Sequence, residues 1–197
     1  MRDKPALVIL NVIPGLTQLN ALVKKVMAQT GCDDPVEAIR LVNSGEWELV
    51  KAKILLPLGE VSVHAMDEFI TAEKLVVGCG GEVPISYLGR NIKIHFLGKT
   101  EKNVPAVTLR KQELMKWSLD AQIRQELGVD KEEILLGQFW QYLKTADRAK
   151  WHVAYIKDCE GTLWAVSACW YGGGWRVGAD SVEDQSGWRV GRMVVSR

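Results

Sequence analysis

Near the C-terminus, Trp170-Tyr171-Gly172-Gly173-Gly174-Trp175-Arg176-Val177-Gly178 is followed by a second Gly-Trp-Arg-Val-Gly at 187–191. An indole offers a broad face for stacking and one N–H donor. A guanidinium lies flat on such a face and keeps its own donors free. Trp170, Trp175, Arg176, Trp188 and Arg189 are therefore the candidate binding residues, as a platform for a sugar, a base or a peptide. The competing reading is that the tryptophans fill the core of a thin sheet. Five of the eight tryptophans (Trp151, Trp164, Trp170, Trp175 and Trp188) fall in residues 151–197, where other large apolar groups are few. Strand alternation sets Trp164 and Trp170 beside Val166, which favours the core for the indoles and leaves Arg176 and Arg189 to carry the binding reading. The two copies stand 13 residues apart with no third, so they do not mark a repeat architecture.

Residues suited to catalysis are scattered. The histidines (His64, His95, His152) and cysteines (Cys32, Cys79, Cys159, Cys169) form no C-x-x-C pair and no zinc-ligand spacing, so no catalytic residue, metal or cofactor is assigned. A small enzyme would have to gather His152 with Cys159 or Cys169 and an acid such as Asp180. His64 and His95 read as solvated residues on strands. Cys159 and Cys169 lie near one expected hairpin, and nothing in their spacing shows whether they face each other. Gly78-Cys79-Gly80-Gly81 lacks the Lys-Ser/Thr of a phosphate loop and opens no helix, so it reads as a tight turn.

The elements that must position these groups follow from periodicity. Leu19, Leu22, Val23, Val26 and Met27 form one helical stripe after Thr17, closed by Gly31. Asp34-Pro35 opens a second helix that is expected to bury Val36, Ile39 and Val42. This pair could act as a DNA reader, but Arg40 alone gives the second helix too little charge. Residues 46–58 read as extended, with a turn at Gly59-Glu60 into a strand at 61–65. Further strands are expected at 74–77, 83–88 and 91–97, the last two joined by a Gly89-Arg90 hairpin turn. From Pro105 the pattern reads helical through Leu109, Leu114, Trp117, Ile123 and Leu127 to Gly128, and again from Asp130 through Leu143. Lys144 to Lys150 is a polar link. Beyond it, 152–157 and 162–171 form a hairpin, a strand follows from Trp175, and a last strand ends near Val195.

Composition bounds the rest. A 47% hydrophobic and 25% charged chain with net charge +1 is that of an ordinary globular protein, without a field that draws it to nucleic acid or an anionic membrane. Residues 152–197 balance Lys157, Arg176, Arg189, Arg192 and Arg197 against Asp158, Glu160, Asp180, Glu183 and Asp184, so no basic stripe is visible and nucleic acid is disfavoured as a partner. The apolar run Ala6 to Leu10 is interrupted as a signal peptide by Asp3, Asn11 and Pro14, and no run is long enough to span a bilayer. Reduced thiols in the cytoplasm are the expectation.

The segments Arg40 to Trp47, Ile85 to Gly89 and Ala179 to Glu183, with Gly187-Trp188, Gly191 and Ser196-Arg197, resemble those of small uncharacterised bacterial proteins. The resemblance implies a bacterial origin and a shared fold and brings no activity. The sequence thus predicts an α+β protein with an N-terminal helical pair, a mixed strand and helix middle, and a C-terminal antiparallel meander. Its regions are 1–148 and a Trp-rich 149–197 that can pack as one domain. The expected role is non-catalytic binding of a small ligand or protein through the C-terminal sheet.

Overall fold

The computed structural model describes residues 6–9, 16–44, 48–51, 53–78 and 81–197. They divide into two compact units, Met1–Lys53 and Ile54–Arg197. The division does not fall in the polar 144–150 link, because strands from both sides of that link share one sheet.

The first unit holds β1 (Ala6–Ile9), α1 (Leu16–Thr30), α2 (Pro35–Asn43) and β2 (Glu48–Lys51), with β1 and β2 paired in parallel. Asp34 caps α2 by accepting from the Val36 N–H at 2.9 Å, with Pro35 in the first turn. Gly31 ends α1 with φ +73°. The buried stripe of α2 centres on Ala38, with Val42 half-buried, while Val36 and Ile39 are exposed. Small Ala38 sits against Val26 of α1, and the expected stripe lies off that contact.

The second unit begins with β3 (Leu55–Val63), β4 (Met66–Ile70), α3 (Thr71–Lys74), β5 (Ile85–Leu88) and α4 (Arg90–His95). It continues with β6 (Thr100–Val104), β7 (Val107–Leu114), α5 (Asp120–Leu127), α6 (Val129–Glu132) and α7 (Leu136–Leu143). It ends with β8 (Trp151–Lys157), β9 (Leu163–Tyr171), β10 (Gly174–Ser181) and β11 (Met193–Ser196). Seven strands form a mixed sheet in the order β3-β7-β11-β8-β9-β10-β5, and β4 pairs with β6 separately. The α+β class holds. The β8-β9-β10 run is the expected antiparallel meander with β9 central, but β11 leaves it. It crosses back to lie parallel to β8 and antiparallel to β7.

Several segments differ from the sequence reading. The expected strand at 74–77 is the end of α3 followed by irregular chain with an isolated bridge at Val77, and the helix expected from Asp130 to Leu143 is interrupted between Glu132 and Leu136. Residues 107–114 form a strand rather than a helix, because Val107 and Leu109 alternate against β3 and the far end pairs with β11. Residues 90–95 form a helix rather than a strand. Ile92 and Phe96, four apart, are both fully buried while Ile94 is exposed, and the Asn91 side chain donates to the Ala179 carbonyl at 2.8 Å. No turn occurs at Gly59, where β3 runs through with a register shift between Pro57 and Gly59.

The sheet has two apolar faces. One carries Ala154, Ile156, Val166, Ala168, Trp175, Val177 and Val195 and packs against α4, α7 and the β4–β6 pair through Ile92, Phe139, Leu143, Phe69 and Val104. The other carries Val153, Tyr155, Ala165 and Val194, and is covered by Ile123 and Leu127 of α5 together with Trp188. Among the described residues no helix is long and apolar enough to cross a membrane.

Candidate functional site

On the second face, α5 and Trp188 pack over Val153, Tyr155, Ala165 and Val194, in the middle of β8 and β9. The end of the sheet at the start of β8 and the end of β9 is more exposed. There the pairing register sets Trp151 of β8 opposite Cys169 of β9, Cys169 opposite Arg176 of β10, and Arg176 opposite Tyr87 of β5. Directly paired residues share a face, so these four side chains form one transverse row, about 14 Å from end to end at the usual strand spacing. Trp151, Tyr87 and the neighbouring Tyr171 are 41%, 46% and 68% exposed.

Cations sit over these rings. The Arg192 guanidinium is 4.0 Å from the Trp151 ring centroid, and that of Arg176 is 4.9 Å from Tyr87 and 5.6 Å from Tyr171. The Lys93 ammonium, carried on α4, reaches Tyr87 at 5.9 Å. Among the described residues, Arg176, Arg189 and Arg192 make no ion pair. Arg176 and Arg192 thus sit over aromatic rings, and Arg176 and Arg189 are exposed. Half-buried Cys169 is the low point of the row. Burial pushes its thiol pKa up, against the charges of Arg176 and Arg192 on either side. Burial also lowers the Arg192 pKa, and the adjacent Arg189 adds to that.

The five residues singled out from sequence do not share a surface. Trp175 is 1% exposed and packs edge-to-face against Trp170 at 5.4 Å and His152 at 5.5 Å. Trp170 is half-buried on the same face, under the Arg148 guanidinium at 4.0 Å. Both tryptophans point away from Arg176, because successive residues of a strand alternate sides. Trp188 packs inward against the core around Tyr155. Arg176 and Arg189 remain on the surface. The sequence reading missed Trp151, Tyr87, Tyr171, Lys93 and Arg192 as members of the group.

The loop that brings in Arg189 and Arg192 is fastened at several points. Asp120, buried at the start of α5, accepts from the Tyr155 hydroxyl at 2.7 Å and from Trp188 Nε1 at 2.8 Å, both on Oδ1. Ser118 and Trp188 exchange backbone bonds of 2.8 and 3.1 Å, and Trp117 Nε1 donates to the Ser186 carbonyl. Gly187, at φ +64°, lies so close under Trp117 that a Cβ would sit 2.6 Å from its ring. Burial raises the Asp120 pKa, its two donors oppose this, and the charge of Asp180 adds to it.

The residues that an enzyme reading would gather are apart. His152 lies on the face opposite Cys169, fully buried, donating from Nε2 to the Asp147 carbonyl at 2.8 Å. Since that carbonyl can only accept, Nδ1 is bare and accepts from the Tyr142 hydroxyl at 2.7 Å. Burial lowers the His152 pKa and raises that of Tyr142. Asp180 stands exposed on the open face, and Cys159 is at the β8–β9 turn, about 20 Å along the strand from His152. At that turn His95 stacks on Trp164 at 4.6 Å, with Nδ1 3.7 Å from Asp158 Oδ2. Asp158 is spoken for by Trp164 Nε1 and by the Glu160 and Thr162 N–H groups, which hold its pKa low against its burial. Among the described residues no three His, Cys, Asp or Glu side chains converge on a metal position. Cys79 lies outside the described residues. Arg40, the cation of the proposed DNA-reading helix, is engaged by Glu37 at 2.7 and 2.8 Å.

Compared with family models, with curated proteins and with solved structures, the chain matches none.

Proposed function

We propose that this is a non-catalytic binding protein whose ligand lies along the Trp151–Cys169–Arg176–Tyr87 row. The observation that carries the reading is the pairing of exposed rings with guanidiniums that have no carboxylate partner among the described residues. An arginine resting on an aromatic face has already given up much of its side-chain freedom, so little ordering remains when its donors meet a ligand. The rings supply stacking area and the guanidiniums supply bidentate donors, which suits a ligand that combines a planar group with negative charge.

The test is a ¹⁵N–¹H spectrum of the whole chain titrated with a nucleoside monophosphate, an acidic heptapeptide and a neutral disaccharide. At least one charged ligand is expected to shift Trp151, Cys169, Tyr171, Arg176 and Tyr87 together. The Arg176→Ala/Tyr87→Ala double variant should remove those shifts without altering the melting curve. Shifts confined to another surface would overturn the reading, as would none from any ligand.

A further inference from the structure

We infer that the row is a docking surface for single-stranded nucleic acid. This deepens the binding reading above and depends on it. Three features of the row choose this occupant. The first is shape. The rings of the row are widely exposed on a sheet face, Tyr171 at 68%, whereas a free small molecule is ordinarily held in a cleft that covers most of its surface. An extended chain gains its contact area by repetition along the surface.

The second is the order of groups across the strands. Arg192 on Trp151 comes first, then the low point at Cys169, then Arg176 between Tyr87 and Tyr171, with Lys93 beyond. Rings alternate with cations over about 14 Å, the reach of two or three nucleotides on a sheet whose aromatic side chains stack the bases. Every base has a π face, so rings without a shaped pocket suit single strands of any sequence, while a duplex hides its bases.

The third is charge complementarity created by the fold. Lys93, Arg176 and Arg192 come from positions up to 99 apart in the chain and meet the rings of the row, with Arg189 close enough to Arg192 for its charge to act there. The exposed acids of this region, Asp180, Glu183 and Asp184, stand at the far end of β10 and in the turn after it. Asp180 lies four residues along the strand from Arg176, about 13 Å away, so the acids bound the row without neutralising it. The balanced composition of the C-terminal region conceals this separation.

The experiment is fluorescence anisotropy with fluorescein-labelled U12, dT12 and a 12-base-pair duplex on the full chain, from 20 to 200 mM salt. The single strands should bind at least tenfold tighter than the duplex. If Lys93, Arg176, Arg189 and Arg192 each hold a phosphate, log K should fall with log salt at a slope of about −3, and Arg176→Ala should reduce it by about 0.7. Tyr87→Ala and Trp151→Ala should each weaken binding roughly tenfold, and Trp151→Phe should restore most of it. Bound U12 should shield Cys169 from iodoacetamide. Equal affinity for the duplex, or full affinity in Tyr87→Ala and Trp151→Ala, would overturn the inference. So would absence of oligomer binding while the acidic peptide or mononucleotide still shifts the row, an outcome that leaves the broader binding reading standing. If no ligand, oligomers included, moves the row, both readings fall.

Discussion

Replacing Asp120 tests how the loop behind the row is held. In Asp120→Ala, the Tyr155 hydroxyl loses its acceptor in a site closed to water, which costs about 1–3 kcal/mol. Trp188 Nε1 loses a bond to a charged group, but Trp188 is only half-buried and water can replace part of it, so this adds about 1 kcal/mol. Removing a buried carboxylate recovers some desolvation, which leaves a net loss of about 2 kcal/mol. For a unit of this size that is a fall in melting temperature of roughly 4–8 °C. Asp120→Asn keeps an acceptor oxygen for both donors and should lose less than about 1 kcal/mol. The pH dependence separates the two forms of Asp120. Burial raises its carboxyl pKa in the fold above the usual 3.8, so between these values the folded chain binds a proton that the unfolded chain lacks. Its contribution to stability therefore grows as pH falls through that window. Wild type should gain on Asp120→Asn between pH 7 and pH 4. Urea unfolding followed by circular dichroism at several pH values measures all of this. If Asp120→Ala came within 1 kcal/mol of wild type, or Asp120→Asn proved as damaging as Asp120→Ala, Asp120 would not be the pin described. A loosened loop would also lower affinity at the row through Arg189 and Arg192.

Three further outcomes are expected. Trp175→Ala should lose about 3–5 kcal/mol because it empties a closed core position, whereas Trp151→Ala should stay within about 1 kcal/mol; acrylamide should quench Trp151 and spare Trp175. Burial holds the His152 pKa below the usual 6.5, so the unfolded chain takes up the proton first and stability should drop as pH falls from 6.5 towards the folded value. Melting curves from pH 8 to 5 should show this drop flattened in His152→Gln, and an unchanged profile in that variant would argue against it. Gly174→Ala should destabilise by about 1–3 kcal/mol, since its Cβ would stand 2.8 Å from the Ser86 backbone nitrogen and push β10 from β5; a neutral substitution, read by urea unfolding, would refute that close approach.

Local signals in the chain were sufficient for local structure. Asp34-Pro35 and Gly31 set the ends of the N-terminal helices, because caps act over one turn. The turns at 158–162 and 172–173 fix the registers of β8, β9 and β10, and with them the alignment of Trp151, Cys169 and Arg176. That part of the row can be counted from the hairpins. Alternation also placed Trp170 and Trp175 on the side away from Arg176, which explains why the tryptophans do not form the platform their crowding suggests. Where two periods fit the same letters, only the tertiary structure decided. Ile92 and Phe96 serve a helix as well as a strand, and Leu109 and Leu114 fit a helical period but form a strand because β3 and β11 pair beside them. Tyr87 reaches the row through a parallel pairing of β5 with β10, Lys93 through α4, and Arg192 through the crossing of β11 to β8. None of these contacts leaves a local trace, because a long-range pairing is chosen by which buried faces fit. The sequence alone determined the arginine and its strand; the fold determined which rings lie beneath it and on which side the acids fall.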